Sequence, residues 1–146
     1  MNAFEEEIKR IQNKSFIVCA SGYFNPIHVG HIEYLEKAKK LGDRLVVIVN
    51  NDKQVKIKGS KKFMTQEDRV SIVSSLRCVD EVILSIDEDE TVCKTLQAII
   101  PDIFCKGGDR FLHNIPETDV CDGLGIQMVF GLGDKIRSSS DYLNHD

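Results

Sequence analysis

The sequence predicts an α/β fold on a parallel sheet, and three of its features carry that prediction. Short apolar, β-branched runs alternate with stretches of helical periodicity along the whole chain. The run Leu45-Val46-Val47-Ile48-Val49 is unbroken rather than alternating, as in a strand covered on both faces. With 146 residues, 42% hydrophobic and 29% charged, the chain suits one soluble domain over 1–146 with a single buried sheet.

Taken in order, residues 3–14 read as a short helix with Phe4, Ile8 and Ile11 on one stripe, and 16–21 as a buried strand. Residues 28–41 form a helix with Val29, Ile32, Leu35, Ala38 and Leu41 inward, which Gly42 stops as a C-terminal cap. The second strand is 45–49. Stretch 51–64, rich in lysine and poor in apolar residues, reads as a mobile loop. Thr65 is placed to cap a helix whose apolar side is Val70, Ile72, Val73 and Leu76. Val82-Ile83-Leu84 is a third strand. Thr91 to Ile100 is a helix closed by Pro101, and Ile103-Phe104-Cys105 a fourth strand. A short helix holds Val120, Ile126 to Phe130 is a fifth strand, and a last helix starts near Ser138. Repeated β–α units of this kind predict a Rossmann-like three-layer α/β/α domain with a five-stranded parallel sheet in the order 3-2-1-4-5. Ligands then sit at the carboxyl ends of the strands.

Composition removes several function classes. A net charge of −4 gives no overall attraction to nucleic acid or to an anionic membrane. No apolar stretch is long enough to span a bilayer, and the acidic start Met1-Asn2-Ala3-Phe4-Glu5-Glu6-Glu7 is unlike a signal peptide, so a cytoplasmic protein is expected. Cys19, Cys78, Cys93, Cys105 and Cys121 are scattered, odd in number and without a C-x-x-C pair, which argues against disulfides and against a structural metal site.

The chemistry gathers in Ser21-Gly22-Tyr23-Phe24-Asn25-Pro26-Ile27-His28-Val29-Gly30-His31, directly after the first strand. A strand that breaks at glycine and proline and then opens a helix presents backbone N–H groups to phosphate. His28 and His31 fall one turn apart on the same helix face, and Gly30 between them has no side chain to obstruct a phosphate.

This segment, with Leu41-Gly42-Asp43-Arg44-Leu45-Val46-Val47, Lys106-Gly107-Gly108-Asp109 and Ile136-Arg137-Ser138-Ser139-Ser140, resembles the nucleotidyltransferase superfamily marked by an H-x-G-H signature. The resemblance covers roughly residues 16–140. It implies attack by a substrate phosphate on the α-phosphorus of ATP or CTP, with pyrophosphate released and Mg²⁺ accompanying the nucleotide. It also implies His28 and His31 as transition-state donors, which phosphate neighbours would favour in the charged form, and Lys58 as a further catalytic cation, with Lys56, Lys61 and Lys62 as substitutes. Nucleotide contacts would come from Gly22, the backbone at Tyr23 and Phe24, Gly30, Arg77, Lys106, Gly107, Gly108, Asp109, Ser138 and Ser139. Arg69 would be either a phosphate ligand or one half of a surface ion pair. Asn25 stands where cytidylyltransferases and heptose-phosphate enzymes usually carry aspartate, and matches the nicotinamide-type adenylyltransferases instead. The lysine-glycine-glycine-aspartate block resembles the heptose-phosphate and glycerol-phosphate branch. The expectation is a homodimeric enzyme acting on a sugar or polyol phosphate, adenylyl transfer ahead of cytidylyl transfer. The alternatives are a nicotinamide-mononucleotide or pantetheine-phosphate adenylyltransferase and a nucleotide sensor without turnover.

Overall fold

The computed structural model describes residues 2–12, 15–107 and 116–132. Its centre is a parallel sheet of β1 (Ile17–Gly22), β2 (Arg44–Val49), β3 (Glu81–Leu84), β4 (Ile103–Gly107) and β5 (Gln127–Leu132), in the expected order β3-β2-β1-β4-β5. Six helices connect and cover it among the described residues: α1 (Ala3–Ile11), α2 (Val29–Lys39), α3 (Asp52–Lys58), α4 (Gln66–Ser74), α5 (Cys93–Ile99) and α6 (Glu117–Leu124). The order turns back beside β1, so the carboxyl ends of β1, β2 and β4 meet at one cleft.

Strand alternation divides the core in two. Ile17, Cys19, Val46, Ile48, Ile83 and Phe104 pack against α1, α5 and α6, while Val18, Ala20, Leu45, Val47 and Cys105 pack against α2 and α4. Each Val, Leu, Ile or Phe among them, withdrawn from water, contributes about 1.5–3 kcal/mol. Tyr34 fixes α2 over the sheet. Its hydroxyl donates to the Cys105 carbonyl at 2.7 Å and accepts the Ser21 N–H at 3.2 Å, locking the helix that begins at His28 to both β1 and β4. Among the described residues no helix is long and apolar enough to cross a membrane.

The pattern misplaces a few details. Stretch 51–64 is not a loop throughout: Asn51 and Gln54 form a capping box that starts α3, and Gly59, at φ 81°, ends it in a left-handed turn. Gly42 is not a left-handed cap. The helix finishes at Lys39 with Lys40 as its right-handed cap, and Gly42 is there because β1 passes too close for a side chain. The first helix ends at Ile11 and the fifth begins at Cys93. The expected last helix near Ser138 lies outside the described residues.

A Cβ on Gly42 would lie 2.7 Å from Val18 Cγ2 and 2.9 Å from the Phe16 carbonyl oxygen. Gly42→Ala should therefore cost about 1–3 kcal/mol through overpacking, although no left-handed backbone is involved. A urea midpoint equal to that of the wild type would contradict this packing role.

Candidate active site

The histidines sit at the entrance of α2 in an uncommon capping arrangement. His28 is the N-cap residue, and its Nδ1 accepts the Gly30 N–H at 3.1 Å. Three residues on, His31 Nδ1 accepts the His28 N–H at 3.1 Å, closing a reciprocal box in which imidazoles replace the usual serine and glutamate. The two rings stack with centroids 3.9 Å apart.

This geometry fixes the protonation pattern. A nitrogen that accepts an N–H carries no proton, so in each neutral ring the proton sits on Nε2, and that atom is the donor. A second proton on Nδ1 would face a backbone N–H and break the cap. Burial, reinforced by the neighbouring His28 and by the Lys58 ammonium, pushes His31 down to about 3. In this geometry His31 is therefore a neutral imidazole near neutral pH.

Phe24 forms the floor. Its ring is 1% exposed and meets His31 edge to face at 4.9 Å, while its backbone takes a left-handed φ of 51° that side chains rarely adopt. The ring folds back over Gly22, where a Cβ would lie 2.8 Å from Phe24 Cζ. Glycine at 22 is therefore required by the aromatic floor two residues later.

Asn25 explains its own departure from aspartate. Its Oδ1 accepts the N–H groups of Phe63 at 2.9 Å and Met64 at 3.3 Å, and its Nδ2 donates to the Lys61 carbonyl at 2.7 Å. Only an amide can do both; a carboxylate would face that carbonyl with no proton to offer. The segment carrying Lys61 and Lys62 is pinned to the strand–helix turn.

Arg69 is the residue that sequence reading most undervalued. It is fully buried, and its guanidinium donates to the carbonyls of Tyr23 at 2.8 Å, Asn50 at 2.6 Å and Met64 at 3.2 Å, and to Asp52 Oδ1 at 2.7 Å. A buried charge persists only when its donors are satisfied in this way. Burial alone would push the Asp52 carboxyl up, but the Arg69 hydrogen bond and the Lys62 ammonium at 3.7 Å help hold it below its ordinary value. Arg69 lies one turn before Val73 on the buried row of α4. An arginine in a core-facing position was the available signal.

The wall opposite is fastened to α3. Asn51 Nδ2 donates to the carbonyls of Ser85 and Asp87, and Gln54 Nε2 to those of Asp89 and Thr91. Asp87 in turn accepts the Lys94 and Thr95 N–H groups, opening α5 in place of a side chain from Val92. Lys58, last residue of α3, places Nζ 4.2 Å from the centroid of the Tyr23 ring and is close enough to His31 to depress its proton affinity.

The structure thus brings together Gly22, Tyr23, Phe24, His28, Gly30, His31 and Lys58, with Lys106 and Gly107 closing β4 on the neighbouring strand. The Gly30 N–H is taken by the His28 cap, so its part is to build the helix entrance. Arg77 is not brought in. It is exposed in the turn that leads into β3, at the amino end of the sheet, because α4 runs from the cleft to the opposite edge. Gly108, Asp109, Ser138 and Ser139 lie outside the described residues, as does Arg137.

Comparison with known proteins bears on the family and the fold. The family model described as Cytidylyltransferase-like matches residues 19–131. The FAD synthase of Picrophilus torridus is 37% identical over 128 residues, covering 85% of this chain and 91% of its own. The bifunctional protein HldE of Citrifermentans bemidjiense is 40% identical over 122 residues, covering 79% of this chain and 25% of that protein. The chain therefore spans about a quarter of the length of the HldE relatives it matches. A solved structure, the lipopolysaccharide core biosynthesis protein from Thermoplasma volcanium GSS1, superposes with a TM-score of 0.69 at 34% identity, covering 81% of this chain and 95% of that one.

Two expected outcomes follow from the site's geometry. Asn25→Asp should loosen residues 61–64, read as faster amide exchange at Phe63 and Met64, at a cost of about 1–3 kcal/mol; unchanged exchange would remove Asn25 from the clamp. For His31 the folded value of about 3 lies below the ordinary 6.5, so the unfolded chain binds the extra proton between them. Its contribution to stability is complete above 6.5 and falls as pH drops toward 3, by up to about 1.4 kcal/mol per pH unit. The stability gap between wild type and His31→Gln should shrink from about pH 7 to about pH 5 in urea titrations. A constant gap would contradict a neutral buried imidazole.

Proposed function

The chain belongs to the cytidylyltransferase-like family, and on that premise we propose that it transfers a nucleoside monophosphate, adenylyl ahead of cytidylyl, from a nucleoside triphosphate to a phosphorylated small molecule. An oxygen of the acceptor phosphate attacks the α-phosphorus. The bond to the bridging oxygen breaks, and pyrophosphate leaves with the electron pair. The nucleophile is already an anion, so no side chain has to remove a proton.

The observation that carries this reading is the pair of stacked, capped imidazoles. Both Nδ1 atoms are committed to backbone N–H groups, which makes each Nε2–H a donor of fixed direction. Fixed neutral donors suit a reaction whose difficulty is charge on five-coordinate phosphorus, because they need no reorganisation as that charge develops. Lys58 adds a full positive charge beside them, and Lys106 stands at the end of β4. Mg²⁺ is proposed to enter with the nucleoside triphosphate. When bound, it would neutralise charge on the leaving phosphates.

The acceptor is proposed to be a sugar or polyol phosphate, in a cytoplasmic homodimer. A second reading, a phosphorylated flavin as acceptor, is favoured by the likeness to FAD synthase along 91% of that protein's length. Both readings keep ATP ahead of CTP.

The test is pyrophosphate release from ATP and CTP, each mixed with a heptose 1-phosphate, glycerol 3-phosphate, nicotinamide mononucleotide and flavin mononucleotide. On the productive pair, His28→Ala and His31→Ala should each lower kcat by about 10²-fold or more. His28→Asn keeps a capping acceptor and separates loss of the donor from loss of the cap. Turnover near that of the wild type in either alanine variant would overturn the assigned roles. Release from no pair, with nucleotide still bound, would favour a sensor.

A further inference from the structure

We propose that the Tyr23 ring is a positioning shelf for Lys58, holding its ammonium over the cleft before any triphosphate arrives. The inference rests on the reading of Lys58 as a phosphate ligand and adds the device that aims it.

Lys58 is the final residue of α3, followed by the left-handed Gly59, and it is exposed. A lysine stem at a helix end samples many rotamers, and fixing it on a ligand forfeits that freedom. In the structure the ammonium instead lies 4.2 Å from the Tyr23 ring centroid, within range of attraction to the negative face of the ring. Both backbones are anchored: the Tyr23 carbonyl is held by Arg69 at 2.8 Å, and α3, which carries Lys58, is fastened through Gln54 to the carbonyls of Asp89 and Thr91.

The phenol oxygen has a different standing. Tyr23 Oη is buried, with no hydrogen-bond partner among the described residues. An unsatisfied hydroxyl opposes burial, so the hydroxyl does not hold this side chain in place. Burial, with the carboxylates of Glu90 and Glu117 nearby, pushes the phenol up to about 12, and the ring stays neutral. A neutral aromatic face attracts the ammonium without cancelling its charge. A carboxylate in the same place would hold the lysine more strongly, repel the triphosphate, and have to be displaced on binding.

The test is a double-mutant cycle read by calorimetric binding of ATP and of CTP with Mg²⁺, each variant checked for folding by thermal denaturation. Lys58→Ala should weaken binding about tenfold and Tyr23→Leu about fivefold, whereas Tyr23→Leu added to Lys58→Ala should cost less than about twofold more. Tyr23→Phe keeps the aromatic face and should retain most of the coupling that Tyr23→Leu loses. If Lys58→Ala binds both nucleotides like the wild type, the phosphate role of Lys58 fails and the shelf with it. If Lys58→Ala weakens binding but Tyr23→Leu acts equally in both backgrounds, or Tyr23→Phe is as damaging as Tyr23→Leu, only the shelf is overturned.

Discussion

The cleft depends on a single buried guanidinium. Arg69 reaches out of α4 and meets the turn after β1, the end of β2, the start of α3 and the segment before its own helix. Without it, three carbonyls and the Asp52 carboxylate would lose their shared donor, the Asn50 carbonyl in a buried position, a loss of several kcal/mol. Part of the proposed site hangs from those segments: Tyr23 and Phe24 lie in the first, Lys58 ends the helix that the third begins, and Lys61 and Lys62 precede the last. The sheet supplies the platform, and Arg69 sets the relative positions of what stands on it.

Upon that frame the histidine pair divides its atoms between structure and chemistry. The Nδ1 side of each ring builds the helix entrance, which leaves the proton of a neutral ring on Nε2. The same contacts that start α2 therefore select the tautomer, and aromatic packing on Phe24 selects the ring plane. Donor direction is settled during folding rather than on binding, the condition under which a hydrogen bond stabilises developing charge most effectively.

Much of the fold was legible because its signals are periodic. The unbroken Leu45–Val49 run, the stripe over 28–41, buried at Leu35 and Ala38 though exposed at its ends Val29 and Leu41, and the alternation of strand and helix lead to the observed layers and strand order. The histidines were legible because they lie in one short segment. Long-range polar ties were not. Asn25 meets residues 61–64, Arg69 meets 23 and 50, and Gln54 meets 89 and 91, pairings that no local spacing encodes. Arg77 lies away from the other candidates for the converse reason: a motif gives the residue type but not which edge of the sheet it occupies. The α3 helix hid because it is seven residues long and shows its caps, Asn51 with Gln54 and Gly59, more plainly than any apolar face.

One property of the Arg69 hub reaches further than stability. Three of its four partners are main-chain oxygens, at Tyr23, Asn50 and Met64, and a peptide carbonyl accepts equally well whatever side chain its residue carries. The scaffold is thereby insulated from the identity of the groups that line the cleft. Side chains at 50 and 64 can change without removing the oxygens that Arg69 holds, so the framework tolerates variation beside the cleft.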